Sequence, residues 1–140
     1  MDESLLEIRT YEGAGYQPLI DHESWRVAIL RYLDELQPGC IATMERHTET
    51  DEVFVLLKGR GTLLFGGNGA GADSIHSQAM ELGSLYNVKR HAWHSVLLSR
   101  DASVLIVENR ETGKHNSEYT ELTLQQRETI LDMARRESFE

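Results

Sequence analysis

Cysteine is almost missing from this chain: Cys40 is the only one in 140 residues, so no intrachain disulfide can form. It stands beside Pro38-Gly39 in a turn-like stretch with no partner motif, and reads as an incidental thiol of a reducing, cytoplasmic protein. Basic residues are scarce as well, 14 against 23 acidic ones, for a formal net charge of −9. Nucleic-acid binding rests on neutralising phosphates, so this balance argues against it and equally against anionic membranes. The pairs "KR" at 89–90 and "RR" at 135–136 are too short to change that. No apolar run approaches the roughly 20 residues of a bilayer span. The N-terminal "MDESLLEIRT" carries acids where a secretion signal would carry positive charge. Small molecules, metal ions or another subunit remain as partners. What is present is ordinary for a globular protein, 40% hydrophobic and 26% charged. The length predicts one domain, residues 1–140, large enough to bury a core.

Most of the sequence reads as short strands between turn signals. "SWRVAILRY" (24–32) alternates, with Trp25, Val27 and Ile29 on one face, and "DELQPG" breaks it. "CIATMERH" (40–47) follows, then "EVFVLLK" (52–58), "TLLFGG" (62–67), "AWHSVLLS" (92–99) and "SVLIVENR" (103–110). The runs at 52–58 and 62–67 stand at hairpin distance across "GRG" and are expected to pair. Residues 67–78 read as a polar surface loop, whose glycines fit no phosphate-binding pattern. Several short strands at this spacing predict an all-β sandwich or barrel over about 24–110. In "LTLQQRETILDMARRE" the residues Leu124, Ile130, Leu131 and Ala134 recur at helical spacing, and Thr123 with Gln126 resembles a capping box. A C-terminal helix over about 123–136 is expected on the outside of the barrel or against a partner. The apolar N-terminal residues Leu5, Leu6, Ile8, Tyr16, Leu19 and Ile20 predict added strand structure and a homodimer contact.

Chemistry concentrates in "MERHTETDE". Residues two apart on a strand share a face, so Glu45 and His47 do, and Glu52 begins the next strand close by. His94 opens a row with Val96 and Leu98 that points into the core. An imidazole there needs a hydrogen-bond partner or a metal. Glu49 and Asp51 read as solvated, His91 as a rim or exposed residue, and Trp93 as core or interface packing.

These stretches resemble the two motifs of the cupin superfamily of small β-barrels. His47, four residues, Glu52, six residues and Gly59 match the first motif after its first histidine, a position held here by Glu45. Gly83, five residues, then Lys89 through His94 keep the spacing of the second. Lys89 and His91 stand where that motif has proline and glycine, and Leu98 where asparagine is common. The resemblance implies an antiparallel jelly roll holding a divalent metal on His47, Glu52 and His94, with Glu45 as a fourth ligand or general base. Two imidazoles and a carboxylate suit iron, manganese, nickel or zinc.

Cupins include dioxygenases, isomerases, epimerases, lyases, storage proteins and ligand sensors, so the fold leaves the reaction open. One reading is a metal-dependent protein acting on or sensing a small polar molecule. A second is a non-enzymatic dimer with a degenerate site. A third, a metal-independent epimerase, would need a His/Tyr pair such as His91 with Tyr86.

Overall fold

The computed structural model describes residues 2–139; Met1 and Glu140, the outermost residues of the expected domain, lie outside the described residues. The strands are β1 (Gly15–His22), β2 (Trp25–Arg31), β3 (Thr43–His47), β4 (Glu52–Lys58), β5 (Gly61–Phe65), β6 (His76–Ala79), β7 (Leu85–Val88), β8 (His94–Leu98), β9 (Ser103–Asn109) and β10 (Ser117–Glu121), followed by helix α1 (Leu124–Arg136). They form two five-stranded sheets, β1-β2-β9-β4-β7 and β10-β3-β8-β5-β6. Strand neighbours pair antiparallel throughout. This is the expected all-β jelly roll with a C-terminal helix.

The pairing of β4 with β5 does not occur. The chain instead crosses from one sheet to the other at Gly59, whose φ of 74° lies in the left-handed region. A Cβ there would sit 2.8 Å from Ala102 Cα, because the β8–β9 connection makes the same crossing alongside. Ser99 ties the two corners, its N–H donating to the Arg60 carbonyl at 3.0 Å. β5 pairs with β8 and with β6, which occupies the end of the supposed surface loop. Strand β3 also starts later than expected, after a 3-10 turn at Pro38–Cys40.

Alternation explains the two apolar layers. Inward-facing Phe54, Leu56, Leu63, Val96, Leu98, Val104 and Ile106 fill the space between the sheets. Outward-facing Met44, Leu64, Trp93 and Leu97 of the second sheet pack beneath Ile130 and Ala134 of α1. The capping box forms: Thr123 Oγ1 accepts from Gln126 N at 3.1 Å, and Gln126 Oε1 accepts from Thr123 N at 2.8 Å. Leu124, expected on the apolar stripe, is 76% exposed, since the first turn projects past the sheet. On β2 the inward row is Arg26, Ala28 and Leu30, leaving Trp25 on the exposed outer face. β1 supplies the predicted N-terminal strand, with Tyr16 opposite Leu30. Among the described residues no helix is long and apolar enough to cross a membrane.

Candidate metal centre

His47 ends β3, Glu52 begins β4 and His94 begins β8, so three strand termini meet at one end of the sandwich. All three side chains are buried. Glu52 Oε1 lies 3.1 Å from His47 Nε2 and 3.0 Å from His94 Nε2. Donor atoms each about 2.1 Å from one ion lie roughly 3.0–3.5 Å apart at octahedral to tetrahedral angles, so each of these two Glu52–imidazole separations fits a shared cation.

Hydrogen bonding sharpens the argument. His94 Nδ1 is 2.9 Å from the Ala92 carbonyl, which can only accept, so Nδ1 carries the hydrogen. In the neutral ring Nε2 then presents a lone pair to the lone pairs of a buried carboxylate. That arrangement requires a proton or a metal ion between them. Without a metal, the proton is favoured. Burial lowers the basicity of both imidazoles, but the Glu52 carboxylate outweighs it and raises both pKa values. Burial raises the Glu52 carboxyl, and hydrogen bonds from His47 and His94 overcome this to hold it well below the usual carboxylate range. Ser117 supports the other side of His47, Oγ to Nδ1 at 2.8 Å.

Glu45 lies directly across from His94 on the neighbouring strand. Ligand atoms of Glu45, His47 and His94 lie within 4.8 Å of one another. The same holds for His47, Glu52 and Glu108, and Glu108 is a residue that spacing alone did not single out. Its Oε2 accepts from Arg26 Nη2 at 2.7 Å and from the Tyr16 hydroxyl. Burial, then the Glu52 charge, raises the Glu108 carboxyl. A signal existed: Val104, Ile106 and Glu108 form one inward row on β9, with the carboxylate ending it. Arg26 likewise sits in register with Ala28 and Leu30. Ser117 and Tyr119 left no signal, because β10 is polar throughout.

The turn before His94 explains the motif departures. His91 adopts φ 73°, the glycine conformation of the motif, which histidine tolerates better than most residues. Asp51 is partly solvent-exposed, as expected, and is also held by three donors. It accepts from Arg90 N at 2.8 Å, Lys89 Nζ at 3.1 Å and Asn87 Nδ2 at 3.2 Å, and these bonds, the Arg90 amide first, lower its pKa to about 2. His91 N also donates to the His47 carbonyl at 2.8 Å, so this turn links the two ligand-bearing strands. The His91 side chain is exposed, and the Tyr86 hydroxyl accepts from Glu81 N; the pair does not assemble. Glu49 is exposed, and Trp93 is buried under α1 with Arg46 stacked 4.2 Å from its ring centre.

A cavity of about 490 Å³ opens onto this cluster. Phe54, Val96, Ile106, Leu30, Leu33 and Leu36 form its apolar walls, and Tyr16, Tyr119 and Lys114 stand among its lining residues.

No protein-family model matches the sequence, and no curated protein matches it. Solved structures do resemble the fold. The capsular polysaccharide assembling protein CapF from Staphylococcus aureus aligns with a TM-score of 0.58 at 17% identity, over 81% of this chain and 34% of that one. This chain thus spans about a third of that CapF chain. A single-residue variant of Streptomyces PAC13, solved with uridine, aligns with a TM-score of 0.56 at 9% identity, over 80% and 83% of the two chains. FeII HppE aligns with a TM-score of 0.50 at 16% identity, over 67% and 48%. The two motifs and this architecture together define a cupin-fold protein. Within that fold, this chain carries a His/Glu cluster that could hold a metal ion.

Proposed function

We propose that this protein binds a divalent metal through His47, Glu52 and His94 and uses it to bind or act on a small molecule bearing a polar end. The observation that carries this reading is the buried Glu52 carboxylate shared between two imidazoles, one with its hydrogen committed elsewhere. Glu45 and Glu108 flank the trio and supply further oxygen donors, which suits iron or manganese and leaves nickel and zinc as acceptable occupants. The likeness to FeII HppE supports the same choice. A bound metal would polarise a ligand oxygen or activate water or dioxygen. The chain's own residues then orient that ligand: Glu45 stands beside the cluster as a base, and Tyr119, paired with Glu45 across the strands, lies next to it. Burial and the Glu45 charge raise the Tyr119 phenol, so at neutral pH it donates rather than accepts a proton.

A second reading, a metal-free binding barrel, is supported by the placement of both imidazoles within hydrogen-bond distance of Glu52, whose charge raises their pKa values. Metal analysis of untagged protein, followed by titration with Mn²⁺, Fe²⁺, Ni²⁺ and Zn²⁺, separates the two. Near-stoichiometric binding supports the first reading, and refusal of all four ions supports the second.

The homodimer expected from the sequence is supported by the uncovered outer face of the first sheet, where Trp25 is 43%, Leu57 52% and Leu85 76% exposed. Light scattering across micromolar concentrations tests it. The cytoplasmic placement rests on Cys40, which is free and exposed.

A further inference from the structure

The cavity is divided by chemistry. Its charged floor is His47, Glu52, His94, Glu45 and Glu108, and the walls above are Leu30, Leu33, Leu36, Phe54, Val96 and Ile106. Little on those walls is free to serve a ligand's hydroxyls. The Arg26 guanidinium uses four of its five N–H groups within the protein: Nε is shared between Tyr16 at 2.9 Å and Glu108 at 3.1 Å, Nη1 reaches the Arg110 carbonyl at 2.9 Å, and Nη2 reaches Glu108 at 2.7 Å and the Thr112 carbonyl at 2.9 Å. The Thr112 hydroxyl donates to the Asn109 carbonyl at 2.8 Å, and Ser117 is bonded to His47. That leaves Thr43, Ser95, Lys114 and Tyr119 among the uncommitted polar side chains of the lining, beside the acidic floor.

We infer that the ligand is amphipathic: an oxygen-bearing chelating head seated on the metal floor, and an apolar body laid along the Leu30–Leu33–Leu36 wall. This deepens the metal reading above and rests on it for the head. A polyhydroxylated sugar would lose water from the hydroxyls laid against leucine and phenylalanine without gaining partners on that wall. A multiply charged anion would meet three carboxylates, with Arg26 already committed. An apolar body instead gains from desolvating the wall, and the cavity volume falls within the usual range of small-molecule pockets.

The test uses hydroxamates, which share one chelating head. Acetohydroxamate, butanohydroxamate and hexanohydroxamate are titrated into Mn²⁺-loaded protein by calorimetry, alongside gluconohydroxamate, which has six carbons and five hydroxyls. Affinity is expected to rise about two- to fourfold per added methylene, with hexanohydroxamate binding at least tenfold tighter than gluconohydroxamate. Leu36→Asn is expected to flatten the series. A flat or reversed series, or tighter binding of gluconohydroxamate, overturns the inference. Should the protein take up no Mn²⁺, the metal reading fails on its own. The apolar wall is then tested on metal-free protein by methyl NMR, comparing hexan-1-ol with sorbitol. Shifts at the Leu30 and Leu36 methyls with hexanol alone uphold the apolar body, and their absence overturns it.

Discussion

Between the two sheets, the half bounded by β5, β6 and β7 is filled by Leu56, Leu63, Met80 and Val88. The half beneath β1, β2 and β10 keeps a cavity with two histidines and three carboxylates at its floor. Both halves obey the same strand alternation, and on β8 they are four residues apart: His94 belongs to one and Leu98 to the other, with Val96 between them lining the cavity. The difference lies in what burial demands. Hydrocarbon in the dry half needs only close packing, and its contribution is non-directional. Each charged group in the open half must find a directed partner, and the partners come from distant parts of the chain.

The sharpest way to break this comparison is His94→Ala. Metal affinity should fall by more than the roughly 10–100-fold that removing a hydrogen-bonded support of a ligand costs, while circular dichroism still reports the β-sandwich. Metal binding unchanged by this variant would remove the open half's distinction. The complementary change lies in the dry layer outside the second sheet. Ile130 is fully buried there, and Ile130→Ala should cost about 2–5 kcal/mol in denaturant unfolding while the folded fraction binds metal as before.

Protons sharpen the comparison next. His47 and His94 are raised above their ordinary 6.5, and Glu52 is lowered from 4.5. The imidazolium contribution is therefore complete below pH 6.5 and is lost as pH rises through the raised values. The carboxylate contribution is present above pH 4.5 and is lost as pH falls through the lowered one. Chelator-treated protein should have its highest thermal midpoint between these limits and decline above them. His94→Gln should blunt that alkaline decline. Added Mn²⁺ should stabilise more at pH 8 than at pH 5.5, because metal and protons compete for the same nitrogens.

Asp51→Asn is expected to loosen the turn that carries His91 and to weaken metal binding toward the lower end of roughly 10–100-fold, as read by competition with a chelating dye. The smallest effect belongs to Thr123→Ala, which removes one helix cap and should cost about 1 kcal/mol with metal affinity unmoved.

Local rules made a good part of this legible. Alternation placed His94 in line with Val96 and Leu98, and Glu45 in line with His47. The Thr123–Gln126 box marked where α1 begins to within a residue. The same rules misjudged the β4–β5 connection, because Gly59-Arg60 is short enough for a hairpin and nothing nearby reveals the neighbouring corner at Ser99–Ala102 that it packs against. They also left the facing of β2 open, since Trp25, Val27 and Ile29 form as apolar a row as Ala28 and Leu30.

By itself, then, the sequence determined the strand periodicity, the capped helix, and the approach of His47 and Glu52 around one short corner, because these depend on neighbours a few residues apart. Tertiary structure alone decided which sheet received β5, which face of β2 turned inward, and that Tyr16 and Ser117 would join the cluster. Tyr16 meets Glu108 across 92 positions and His47 meets Ser117 across 70. Contacts of that reach leave no local periodicity, and form only when the packing of both sheets brings their strand ends together.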